Sequence, residues 1–127
     1  MTTEVVPRLS AERLAGITIR TAHIAVTSVY LGGRVWGVPA EKLRLWRNLT
    51  TATGVALLIS ETRHSPNWAH QGRGLTTMAH IGALLPGHVW PQLAKAAPVA
   101  AMLIGSLGSH LPRAIRKWSL LNIEFRP

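Results

Sequence analysis

Four long stretches of this 127-residue chain carry no Asp, Glu, Lys or Arg. They run over 21–33, 48–60, 74–94 and 96–112, and basic residues bracket each of them except at the end of the second, which Glu61 closes two residues before Arg63. A helix on the surface of a water-soluble protein keeps a charged face along its length. Windows of 13, 13, 21 and 17 uncharged residues therefore point to helices whose middles avoid water and whose ends seek it. Composition agrees: 15% of residues are charged, 47% are hydrophobic and the net charge is +9, against a usual charged share of about 25%. A basic and apolar chain suits either a membrane or nucleic acid, and the placement of the charge favours the membrane. With one Tyr and one Phe there is little to stack on bases, so no nucleic-acid partner is expected.

The windows predict an all-α fold: an integral membrane four-helix bundle of up-down-up-down topology. It forms one membrane domain over residues 1–127, with spans at about 11–33, 39–61, 66–85 and 91–110 and a basic tail over 111–127. Ser10 is a good N-cap for the first span, with Glu12 in its first turn. Gly37-Val38-Pro39, Ser65-Pro66 and Trp90-Pro91 read as the openings of the next three. Pro98 is expected to kink the fourth, and Leu111-Pro112 to stop it. Ala97, Ala101, Gly105 and Ser109 form a small-residue stripe suited to close helix packing. Met1–Val6 carries Glu4 and no Lys or Arg, unlike a secretory signal, so the first apolar segment is expected to stay in the mature chain.

Both termini then lie on one side. That side carries Arg8, Arg13, Arg63, Arg73, Arg113, Arg116, Lys117 and Arg126; the other carries Arg34, Lys42, Arg44, Arg47 and Lys95. An excess of basic residues marks the cytoplasmic side. The expected location is a bacterial inner membrane with both termini in the cytoplasm.

At 100° per residue, Arg20, His23, Thr27, Tyr30 and Arg34 share one face of the first helix. Lipid cannot satisfy such a stripe, so it should face the bundle interior. Thr76 and His80 add to it from the third helix, and Met102, Ser106 and His110 from the fourth, while the second offers Asn48, Thr51 and Gly54. His23 and His80 fall at matched depth, about 10–14 Å in from the terminal side at 1.5 Å per residue. Two such imidazoles would be the axial metal ligands of a haem b. Arg20, Arg73 or Arg113 would pair with its propionates, Thr76 would fix a His tautomer, and Gly54, Gly82 and Gly105 would admit the macrocycle. His110 belongs with the cofactor-binding candidates by its inward period, although Ser109-His110-Leu111-Pro112 also reads as a helix C-cap. Two other readings stay open: a structural polar core, in which Arg20 pairs with Glu61, and a proton, metal or quinone site.

Self-contained catalysis has no positive case. Cysteine is absent, no His pair has metal-ligand spacing within a helix, and no G-x-S-x-G elbow occurs.

Arg20-x-x-His23 followed by Gly32-Gly33 resembles the first helix of CopD-like and other small bacterial four-helix membrane proteins. Trp68-x-x-Gln71-x-Arg73-Gly74 and Ser109-His110-x-Pro112-x-x-x-Arg116 resemble segments of their uncharacterised relatives. The resemblance implies a cytochrome b561-like or copper-handling membrane domain. The leading functional expectation is a small accessory or anchor subunit of a larger membrane complex, of redox type, whose partners are the bilayer and other membrane subunits. The alternatives are an autonomous haem b electron carrier with bis-His ligation, and a transporter-like or copper-handling module.

Overall fold

The computed structural model describes residues 9–120, so Arg8, Arg126 and the end of the basic tail lie outside the described residues. Among the described residues all regular structure is helical, apart from one isolated bridge between Gln71 and Ser119. Helix α1 (Ala11–Val35) opens on Ser10, whose hydroxyl accepts from the Arg13 amide at 3.2 Å, and Glu12 lies against the positive end of its dipole. The chain reverses at Gly37, whose φ of 71° suits a residue without Cβ. Pro39 then caps α2 (Ala40–His64). Helices α3 (Gly72–Gly82), α4 (Pro86–Val89), α5 (Ala96–His110) and α6 (Arg113–Lys117) follow.

Helices α1 and α2 form one antiparallel hairpin. Gly33 meets Leu43 at its loop end, and Glu12 lies 3.1 Å from His64 at the other. Helices α3 and α5 form a second, with Gly87 against Ala97 at one end and Thr76 against Gly108 at the other. Packing of α1 on α5 joins the two. Arg73 reaches Glu61 at the terminal end and Arg34 reaches the Gly87 carbonyl at the loop end, so the four longer helices alternate in direction.

The third and fourth helices start later than the sequence suggests. Residues Trp68–His70 make a single 3-10 turn with Trp68 buried beneath it, and Gln71 is extended because it pairs with Ser119. The Gly72 amide donates to the Trp118 carbonyl at 2.8 Å. The C-terminal segment thus holds residues 71 and 72 out of a continuous helix from Pro66. Residues Pro91–Leu93 make another 3-10 turn, and α5 begins only at Ala96. Pro98 does not kink α5: it lies in the first turn, where an amide has no partner to lose.

Apolar burial is sparse. Leu31, Leu43, Trp68, Ala97, Pro98 and Ala101 are the buried apolar side chains among the described residues. Leu14, Ile17, Ile24 and Val29 of α1 point outward, as do Val99, Leu103 and Leu107 of α5. The small-residue stripe of α5 packs through Ala97, Ala101, Gly105 and Gly108, while Ser109 is exposed. A period of about 3.6 residues carries the stripe onto Gly108. Helix α1 is long and apolar enough to cross a membrane, and only 11% of its apolar window is buried inside the molecule; α5 is a shorter apolar helix.

Candidate functional site: a polar seam between the two hairpins

Imidazole, hydroxyl and glycine meet between the helices at partly buried positions. His23, on the inward face of α1, meets α2 through Nδ1, 2.8 Å from the Thr53 hydroxyl. That hydroxyl donates its own hydrogen to the Leu49 carbonyl at 2.8 Å, or to Thr50 at 3.2 Å. It is therefore an acceptor toward His23, and the ring proton belongs on Nδ1. Gly54 makes the approach possible, since a Cβ there would stand 3.2 Å from His23 Cε1.

His80 repeats the arrangement in the second hairpin. Its Nδ1 lies 2.6 Å from the Ala101 carbonyl. A carbonyl only accepts, so this nitrogen donates as well. A Cβ on Gly105 would fall 2.8 Å from His80 Nδ1. The two rings, one from each hairpin, are close enough to interact electrostatically. Each has its Nδ1 proton committed to an oxygen, which leaves Nε2 as the lone-pair nitrogen. Metal-binding imidazoles are usually oriented by such a bond.

The rest of the seam is ionic at its ends. Glu61 of α2 accepts from Arg20 at 2.9 Å and from Arg73 at 3.3 Å, tying α1, α2 and the start of α3 together. Arg73 also donates to the Gln71 side chain at 2.8 Å, and Gln71 to Ser65 at 3.2 Å. At the opposite end Arg34 makes long contacts of 3.4–3.5 Å with Tyr30, His88 and the Gly87 carbonyl.

Of the residues read from the sequence, the structure sets His23 against α2 and His80 against α5, and Arg20, expected to face the interior, is instead exposed and turned toward Glu61. His110 stands apart: it is exposed at the end of α5, with Nδ1 2.8 Å from the Ser106 carbonyl of its own helix. Met102 and Ser106 are exposed too. Thr76 does not orient a histidine; its hydroxyl returns to the Gly72 and Arg73 carbonyls, and the Ala101 carbonyl takes the orienting role. On α2 the residue that matters is Thr53, whereas Thr51 is exposed and bonds back to Arg47. The room at Gly54 and Gly105 is occupied by imidazole, while Gly82 faces open space. Two cavities, of about 250 Å³ beside Glu12 and Ala56 and about 320 Å³ beside Ala83 and Ala97, have neither His23 nor His80 in their walls. Among the described residues no three His, Asp or Glu side chains cluster as a metal cage.

Comparison with protein-family models, with curated proteins and with solved structures gives no match for this chain.

Proposed function

We propose that the chain is an integral membrane four-helix subunit that serves as an accessory or anchor within a larger membrane assembly. One observation carries this reading: large apolar side chains of α1 and α5 stand on the outside, while two imidazoles and several hydroxyls lie between the helices. His23, Thr53 and His80 are half-buried between helices, while Ile24, Val29, Leu103 and Leu107 stand on the outside, and Arg20 reaches Glu61 from an exposed position at the terminal end. In water so extensive an apolar exterior would drive association; in lipid it is the solvated surface. Close packing on Ala, Gly and Thr is the interface chemistry of membrane helices.

Helix α1, at 25 residues, suits a hydrocarbon core of ~30 Å, and it alone among the described residues is both long and apolar enough; α2 has the same length but is free of charge only over 48–60. Helices α3 and α5, at 11 and 15 residues, reach across it only with their flanking turns. That assignment puts Trp68 and Trp90 near opposite interfaces, a common position for Trp. The connections between spans are short, which leaves no extramembrane body among the described residues to carry a separate activity. By the charge excess the terminal end faces the cytoplasm of a bacterial inner membrane.

Purification from native membranes in a mild detergent tests the subunit role. A stoichiometric membrane-protein partner is the expected result, and a clean monomer free of partners would contradict it.

A second reading, a haem b electron carrier, is favoured by the shared Nδ1 orientation of His23 and His80. His23 and His80 would hold a haem through Nε2, and the haem would supply one-electron transfer. A Soret band and a sharp reduced α band, both lost in His23→Ala or His80→Ala, would support it. A folded, colourless protein would exclude it.

A further inference from the structure

Nearly every helical Ser and Thr hydroxyl here is spent on its own helix. Thr18, Thr21, Ser28, Thr51, Thr53, Thr76, Thr77 and Ser109 each donate to a carbonyl one turn back, at 2.7–3.0 Å. Ser60 and Ser106 make no such bond either, but Thr27 and Thr50 are the two whose hydroxyl oxygens are buried as well. Their Oγ1 atoms are shut off from solvent without a hydrogen-bond partner, and Thr27 as a residue is only 9% exposed.

The two buried hydroxyls belong together. Thr27 is one turn beyond His23 on α1, and Thr50 is one turn before Thr53 on the antiparallel α2. Both therefore lie on the loop side of the His23–Thr53 bond, at the same level of the hairpin seam. The Gly33–Leu43 contact, farther along, fixes the same register. Two buried hydroxyls at one level of the seam that forgo the carbonyl behind them are the kind of partners a buried water takes.

We propose that Thr27 and Thr50 hold a buried water molecule in the α1–α2 seam, next to His23. The charged and titratable groups around it argue for a neutral guest. From α1 the seam presents Arg20, His23, Tyr30 and Arg34; from α2, Glu61; from α3, His80. The one carboxylate among them, Glu61, is engaged by Arg20 and Arg73 at the terminal end. No anion is left beside Thr27 and Thr50 to balance a bound cation, and Arg34 adds positive charge on the loop side. Water, which both donates and accepts, satisfies two hydroxyls without adding charge. The site is internal to one hairpin, so it does not depend on whether the outer faces lie in lipid.

The test is water-edited NMR on the full chain in detergent micelles, with labelled threonine. Expected is fast magnetisation transfer from water to Thr27 and Thr50, at a depth where Leu31 receives none. In the Thr27→Val/Thr50→Val double variant the local water signal disappears and Tm falls by several degrees, because the guest has lost its partners. Thr27→Ser keeps the hydroxyl and should retain the transfer, and circular dichroism confirms that each variant is folded. Absence of transfer in the unmodified protein, or a higher Tm in the double valine variant, would overturn the proposal. Either result would mean that the seam is dry and that valine relieves two stranded hydroxyls.

Discussion

At the scale of single residues, the chemistry rests on two imidazoles held by absent methyl groups. Gly105 and Gly54 let the rings lie against the facing helices, and each ring is then locked by a bond from Nδ1. Gly105→Ala puts a Cβ 2.8 Å from His80 Nδ1, too close for both to stay. The ring must turn off the Ala101 carbonyl or the helices must part, at a cost of about 1–3 kcal/mol. Gly54→Ala meets Cε1 at 3.2 Å and should cost less. Thermal unfolding of the two variants should place them in that order. Equal stability of Gly105→Ala and the unmodified protein would show that the seam is looser than described. The sequence made His23 and His80 legible, because an imidazole on an apolar helix face is conspicuous. It did not reveal Thr53 or the Ala101 carbonyl, since a threonine among several and a backbone oxygen carry no signal until the register between helices is known.

At the scale of elements, the two hairpins are joined at the terminal end by one carboxylate. Glu61 accepts from Arg20 of α1 and from Arg73 of α3. Glu61→Gln keeps the shape and removes the charge that serves both guanidinium groups. Because Arg20 is over half exposed, the loss should be modest, about 0.5–1.5 kcal/mol, and a chemical or thermal melt reads it directly. A second tie is the C-terminal strap. Gly72 packs so tightly on the Ile115 carbonyl that a Cβ would collide with it. Gly72→Ala should release α6 and speed tryptic cleavage at Arg113, Arg116 and Lys117, and unchanged cleavage kinetics would argue against a docked strap. These ties also explain where the predicted and observed elements part. Helix existence followed from the charge-free windows, but the late start of α3 depends on Gln71 pairing with Ser119, a contact 48 residues away along the chain. The late start of α5 was closer to legible: Pro91 and Pro98 together leave little room for a regular helix between them.

At the scale of the whole molecule, His23, His80, Thr27 and Thr53 lie between the helices, while many of the leucine, isoleucine and valine side chains of α1 and α5 face out. If the terminal end is cytoplasmic, the loop holding Trp36 faces the other side of the membrane and α6 faces the cytoplasm. A water-soluble maleimide added to intact spheroplasts should then label Trp36→Cys but reach Ile115→Cys only after permeabilisation. The opposite pattern would invert the topology. Because the chain contains no cysteine, every such probe is unambiguous.

The same property supplies the most direct test of the membrane-embedded fold. Ile24 and Leu103 are 59% and 60% exposed on the outer faces of α1 and α5, and Trp36 is 86% exposed at the loop end. Single variants Ile24→Cys, Leu103→Cys and Trp36→Cys in native membranes should differ sharply toward a membrane-impermeant maleimide. Trp36→Cys should label, while Ile24→Cys and Leu103→Cys stay protected until the membrane is dissolved and the protein unfolded in SDS. Labelling of all three at the same rate in native membranes would mean that these apolar faces meet water, and the membrane-embedded account would fail.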